Sequence, residues 1–148
     1  MNFNKTTEYA LKILSYMAID ETKLYSAEEI FKELKIPYRY LRKQLTILSK
    51  SDIITSVQGK YGGYKISKNL EDISLLDVIV ASGDKQLSNN CFFGFTDCKF
   101  EEKCSFHDSW ASVRKEIHRV LSTTTLTEMK KDGPYGHVDN NSFLTKIK

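Results

Sequence analysis

Apolar residues along the first fifty positions recur every three or four residues in three bursts, divided by polar or proline-containing breaks. Tyr9, Ile13, Leu14 and Met17 fall on one face of a helix over 5–19, the period of a stripe that packs against a core. Ser26-Ala27-Glu28-Glu29 opens a second helix through Ile30, Phe31 and Leu34. Ser26 is its N-cap, and Glu29, three positions on, makes a capping box with it. That helix stops near Lys35. Pro37 suits the first turn of a third helix, because its missing N–H is one of the donors left unpaired there anyway. The third helix runs to about Lys50, burying Leu41, Leu45 and Leu48 and turning Arg39, Arg42, Lys43 and Thr46 outward.

Beyond Lys50 the helical period gives way to alternation. Ile53 to Val57 and Tyr64 to Ile66 flank the glycine-rich run Gln58-Gly59-Lys60-Tyr61-Gly62-Gly63, which predicts a hairpin. Two short helices joined by a tight turn and followed at once by a hairpin make a winged helix-turn-helix. Ser74 caps a further short helix, Leu75 to Ala81, and from Gly83 to Lys103 no period is visible. A long aperiodic segment inside a small chain is functional or disordered. From about Ser105 to Leu121 the apolar positions Phe106, Trp110, Val113, Ile117, Val120 and Leu121 return at helical spacing. Only a Thr-rich stretch and a polar tail follow, so this face is expected to pair with a second copy or to fold back on the first helix. The expected fold is mainly α with a small β-hairpin wing. The chain divides into a winged helix-turn-helix domain at 1–82, a cysteine-containing loop at 83–104, a long dimerisation helix with a short following helix at 105–132, and a loosely held tail at 133–148.

Composition changes this picture in two respects. The apolar fraction of 41%, with eight Tyr and eight Phe, excludes a disordered chain. No run of eighteen apolar residues occurs and the start lacks a signal-peptide cleavage pattern, so a cytoplasmic protein without a membrane partner is expected. Three cysteines cannot make a disulfide framework. The net charge of +3 hides an asymmetry: residues 35–65 hold seven basic side chains and one acidic. A local patch of that kind attracts phosphate and releases counterions.

The chemistry divides between that patch and the cysteines. A major groove admits one α-helix, and Tyr38, Arg39, Arg42, Lys43 and Thr46 lie on the first turns of the third helix, where base edges and phosphates are met. Arginine can pair bidentately with guanine, whereas lysine suits a phosphate. Gln58 and Lys60 flank wing glycines that let the backbone approach a minor groove. Ser26 is counted with this DNA-facing set, while Tyr40 and Tyr64 are expected to pack the hairpin against the helix. Cys91, Cys98 and Cys104, with His107 three residues beyond the last, offer three soft ligands and an imidazole. A structural zinc, an iron-sulfur cluster and three unrelated thiols are all open, although gaps of six and five residues fit the paired spacing of zinc modules poorly. No nucleophile–base pair, phosphate loop or carboxylate dyad marks an enzyme or a small-molecule substrate.

Taken in order, Tyr9-Ala10-Leu11, Ser26 to Ile30, Ile36-Pro37-Tyr38-Arg39-Tyr40-Leu41, Ser56-Val57-Gln58-Gly59 through Gly62-Gly63-Tyr64, the three cysteines and Trp110 resemble the Rrf2 family of bacterial winged-helix regulators over about residues 1–130. The resemblance implies a homodimer on the long helix, reading a palindromic double-stranded operator as a transcription repressor. It also implies that Cys91, Cys98 and Cys104 hold an iron-sulfur cluster, with 2Fe-2S expected before 4Fe-4S. His107 matches the histidine that completes the set in IscR-like members. Glu8 lies where NsrR-like members and their redox-sensing relatives draw a carboxylate from the partner's first helix. Other members lack a cluster and sense thiols. Gln58 stands where many members have Arg, and Arg42-Lys43 where IscR-like members have Glu-Gln, so the operator sequence does not transfer with the resemblance.

Overall fold

A computed structural model describes residues 3–85, 91–95 and 104–132. The expected tail at 133–148 and Cys98 lie outside the described residues. Helix α1 spans Lys5–Met17 and tightens into a 3-10 turn at Ala18–Asp20, so the first helical stretch ends in a different geometry from that read in the sequence. Helices α2 (Ala27–Leu34) and α3 (Tyr38–Lys50) follow, then strands β1 (Ile54–Val57) and β2 (Gly63–Ile66), a 3-10 turn at Leu70–Asp72, and helices α4 (Leu75–Ala81), α5 (His107–Thr123) and α6 (Leu126–Asp132). The strands pair antiparallel, Ile54 opposite Ile66 and Val57 opposite Gly63. This is the mainly helical, winged fold that the pattern predicts.

The helix boundaries follow from local chemistry. Ser26 accepts the Glu29 N–H at 3.1 Å as N-cap of α2. Its expected capping box is only half made, because the Glu29 carboxylate instead bonds Lys23 and accepts from the Tyr16 hydroxyl. Lys35 ends α2 in the left-handed conformation at φ 51°, and Ile36 drops into the core. Pro37 stands at the N-cap of α3 rather than within its first turn, and its carbonyl receives the Tyr40 and Leu41 N–H groups at 2.9 and 3.0 Å. Burying Leu41, Leu45 and Leu48 on Ile13, Leu14 and Met17 of α1 and Ile30 of α2 fixes the angle of the helix-turn-helix. Side chains of that size each contribute about 1.5–3 kcal/mol when taken from water.

The short helix expected after α5 is α6, and residues 124–129 return to the body of the chain. The Leu75 N–H bonds the Thr124 carbonyl at 2.9 Å and the Leu126 N–H bonds the Ile73 carbonyl at 3.0 Å. Leu126 is buried, and Met129 packs beside it on the same core as α1. The Thr-rich segment is therefore a short link, joined to Ser74 by a single β-bridge at Thr125, that seats α6.

The wing rests on a steric requirement. A Cβ at Gly62 would lie 2.0 Å from the Val57 carbonyl oxygen, and the Gly62 N–H closes the turn on the Gly59 carbonyl at 3.1 Å. Gly62→Ala is therefore expected to distort the hairpin tip and weaken DNA binding by about tenfold while the thermal midpoint falls only slightly, since the tip is outside the core. Anisotropy with labelled duplex beside thermal melting checks this; unchanged affinity would remove the wing from the interface.

Candidate nucleic-acid interface and cysteine site

Helix α3 presents a polar face because its inward positions are fully used. Arg39, Arg42, Lys43 and Thr46 are exposed, as are Tyr38 and, at the wing, Gln58 and Lys60. The Thr46 hydroxyl donates to the Arg42 carbonyl at 3.0 Å, leaving its oxygen free to accept. The Tyr38 ring stands edge-on to Phe31, 5.7 Å between centroids, which steadies the first turn of α3 against α2. Ser26 is exposed, but its hydroxyl oxygen is engaged in capping α2.

The expectation that Tyr40 and Tyr64 join hairpin to helix holds for only one of them. Tyr64 packs on the core and exchanges backbone hydrogen bonds of 2.8 Å with Tyr25, adding a third strand-like segment to the wing. Tyr40 remains 54% exposed, and the ring contact it makes is with Tyr9 of α1, 6.1 Å between centroids. Position forty falls one residue before the buried Leu41, so its side chain rotates toward α1. Sequence reading passed over Tyr61, which is 85% exposed at the wing tip with the Lys60 ammonium 5.6 Å from its ring.

The described cysteine-bearing segments meet through aromatic rings. Cys91 opens a tight turn, its carbonyl accepting the Gly94 N–H at 2.9 Å and its N–H bonding the Phe95 carbonyl at 3.1 Å. Phe92, next in sequence, packs its ring 5.1 Å from Phe106 and 5.2 Å from Trp110. Phe106 lies between Cys104 and His107, whose N–H bonds the Cys104 carbonyl at 3.0 Å as α5 begins. Cys91, Cys104 and His107 are each half-buried, and both thiols are free. Among the described residues no group of three or more His, Cys, Asp or Glu is arranged to hold a metal; Cys98 falls outside them. The donors present suit a soft-metal or iron-sulfur group in type. Glu8 is on the first turn of α1, where a 2.7 Å hydrogen bond from Lys5 holds its carboxyl below the usual range.

Helix α5 carries two apolar stripes. Trp110, Ile117 and Leu121 are half-buried, whereas Phe106, Val113 and Val120, seven residues apart, are 42%, 48% and 44% exposed. No residue of α5 is buried within the chain, and its packing is on α4 rather than back along α1.

These features have close counterparts. The model of the Rrf2 family, described as "Iron-dependent Transcriptional regulator", matches residues 3–132. The chain belongs to the Rrf2 family. A protein of Aquifex aeolicus named as an HTH-type transcriptional regulator is 31% identical over 131 residues, covering 87% of this chain and 91% of its own length. The fold matches the solved structure of CymR, the global cysteine regulator of B. subtilis, with a TM-score of 0.74 at 21% identity over 87% of this chain and 95% of that one. It also matches IscR of T. potens, with a TM-score of 0.69 at 23% identity over 89% and 88%. As a member of the Rrf2 family the protein is a DNA-binding transcriptional regulator. The A. aeolicus protein and CymR are both named as regulators. Among the described residues no helix is long and apolar enough to cross a membrane.

Proposed function

We propose that this Rrf2-family regulator is a cytoplasmic repressor, active as a homodimer on a palindromic operator, whose DNA affinity is set by an iron-sulfur cluster. Cys91, Cys98 and Cys104 would hold the cluster, with His107 as fourth ligand. When bound, the cluster supplies a labile redox-active centre through which nitric oxide, redox state or iron-sulfur supply is reported. The observation that supports the reading is the packing of Phe92, the residue after Cys91, on Phe106 and Trp110, of which Phe106 lies between Cys104 and His107 in the sequence. His107 is preferred to Glu8 because the Glu8 carboxylate is already paired with Lys5, and a ligand role would cost that pairing. A 2Fe-2S cluster suits three thiolates and one imidazole. Homodimerisation is supported by the exposed Phe106, Val113 and Val120 seam at heptad spacing.

On DNA, Arg39, Arg42, Lys43 and Thr46 of α3 face the major groove while Gln58 and Lys60 of the wing approach the backbone and minor groove. Tyr38 supports α3 from its first turn. Paired Arg42→Ala and Lys43→Ala variants test this directly, using a duplex the protein selects from a random pool. Arg42→Ala is expected to cost about 1–3 kcal/mol and to relax base preference. Lys43→Ala should weaken all duplexes alike and lower the log-affinity versus log-salt slope by about one. If neither variant alters affinity or slope, α3 is not the reading helix.

A second reading draws on the half-exposed thiols of Cys91 and Cys104 and the likeness to a cysteine regulator. In it the same winged domain is governed by thiol state without a cluster. A structural zinc in the cysteine loop is the remaining form of a cluster-free protein, and metal content separates the two.

A further inference from the structure

The start of α1 is capped by residues far apart in the chain. Asn4 is the N-cap, and its Oδ1 accepts the Thr7 N–H at 2.8 Å. A full capping box also needs an acceptor for the N-cap residue's own N–H, ordinarily a Glu or Gln at the third helical position. Thr7 holds that position and has no carboxylate. Asp84, eighty residues beyond Asn4, supplies one: its Oδ2 accepts the Asn4 N–H at 3.0 Å and the Thr7 hydroxyl at 3.1 Å. Helix α4, by contrast, completes its box locally with Ser74 and Asp77.

Asp84 stands at the root of the cysteine segment, and the end of α4 sets it there. Gly83 takes φ +72°, its N–H bonds the Val80 carbonyl at 3.0 Å, and the Asp84 N–H bonds the Ile79 carbonyl at 3.3 Å. These two bonds are a Schellman motif, which needs the left-handed residue that glycine provides without strain. Asp84 is only 9% exposed and Thr7 is fully buried, so water is a poor substitute for either partner. Two residues past Thr7, the Tyr9 ring meets Tyr40, on the first turn of α3. The opening turns of α1 thus touch the root of the cysteine segment at one point and the DNA-reading helix at another.

We infer that Asp84 is a positioning residue that couples the cysteine segment to α3: it completes the α1 cap only while the root of that segment holds its present place, and α1 passes the constraint to α3 through Tyr9 and Tyr40. The regulatory meaning rests on the proposed sensing role of the loop; the mechanical link does not. Amide hydrogen exchange by NMR on the full chain, without DNA or metal, tests the link. Asp84→Ala is expected to speed exchange about tenfold at Thr7 and Glu8 and also at Tyr40 and Leu41, leaving Leu45 and Leu48 unchanged. Asp84→Asn, which keeps an acceptor oxygen, should restore most of the protection. Adding Tyr9→Leu to Asp84→Ala should produce no further loss at α3, because both changes cut one path. Should Asp84→Ala fail to fold, Thr7→Val removes the hydroxyl donor while keeping shape and should give the same pattern more weakly. Faster exchange confined to residues 4–8, with Tyr40 and Leu41 unchanged, would overturn the coupling and leave Asp84 a simple cap. Loosening at α3 in a protein whose DNA affinity ignores the cysteine loop would confirm the link and overturn the sensing role instead.

Discussion

Val113→Glu yields a folded monomer whose affinity for its selected duplex is lower by about 100-fold or more. The side chain is half exposed in the single chain, so a carboxylate there can reach solvent without entering the core, and far-ultraviolet circular dichroism should be unchanged. In the proposed dimer the same position lies mid-seam between Phe106 and Val120, where two symmetry-related carboxylates would be desolvated against each other. Loss of the dimer removes the linked second half-site, and linkage of two sites is worth about 10²–10⁴ in affinity. Sedimentation equilibrium with anisotropy reads both quantities. A dimer that persists in Val113→Glu would place the interface elsewhere, and the exposed stripe on α5 would need another explanation.

The second large effect is expected at Cys104. Cys104→Ala changes a half-buried residue that ends the loop just ahead of α5 and is no part of the core, so the fold should survive. Iron and sulfide content of protein prepared without oxygen should fall from about two of each per chain to near zero. DNA affinity of the variant should then equal that of cluster-free wild type. His107→Ala separates the ligand assignments: retention of a spectrally shifted, more labile cluster fits a replaceable fourth ligand, whereas an unchanged spectrum would turn attention to Glu8 from a second copy. Full iron content in Cys104→Ala would contradict the three-thiolate site. Zinc in stoichiometric amount in the wild type would instead favour the structural-metal form.

The DNA-binding half of the molecule was legible in sequence because its signals are local. A period of three to four residues names α1, α2 and α3, Ser26 and Ser74 cap as read, and the glycine run marks the wing. Where the reading missed, a distant group had taken over a local role. Glu29 leaves Ser26 for Lys23 and Tyr16. Tyr40 turns to Tyr9 of α1 instead of the hairpin. Leu126 and Met129 are apolar residues in a polar stretch, and the backbone pairing of Thr124 and Leu126 with Leu75 and Ile73 helps carry them to the core.

The cysteine region was legible in composition but not in arrangement. Nothing in the spacing of Cys91, Cys104 and His107 foretells that Phe92 will pack on Phe106 and Trp110. Aperiodic segments are organised by such single contacts, and a periodicity argument has nothing to grip there. Asp84 was invisible for the same reason, since its partners lie at the opposite end of the chain.

The most direct test of the central claim is the affinity of one anaerobic preparation for its selected duplex, measured before and after the cluster is removed, with iron, sulfide and visible spectrum recorded in parallel. The account predicts a coloured protein with about two iron and two sulfide per chain, and a change in affinity of at least about tenfold, or ~1.4 kcal/mol, on removal. A colourless protein that cannot be reconstituted, or a cluster whose removal leaves the affinity unchanged, would contradict it.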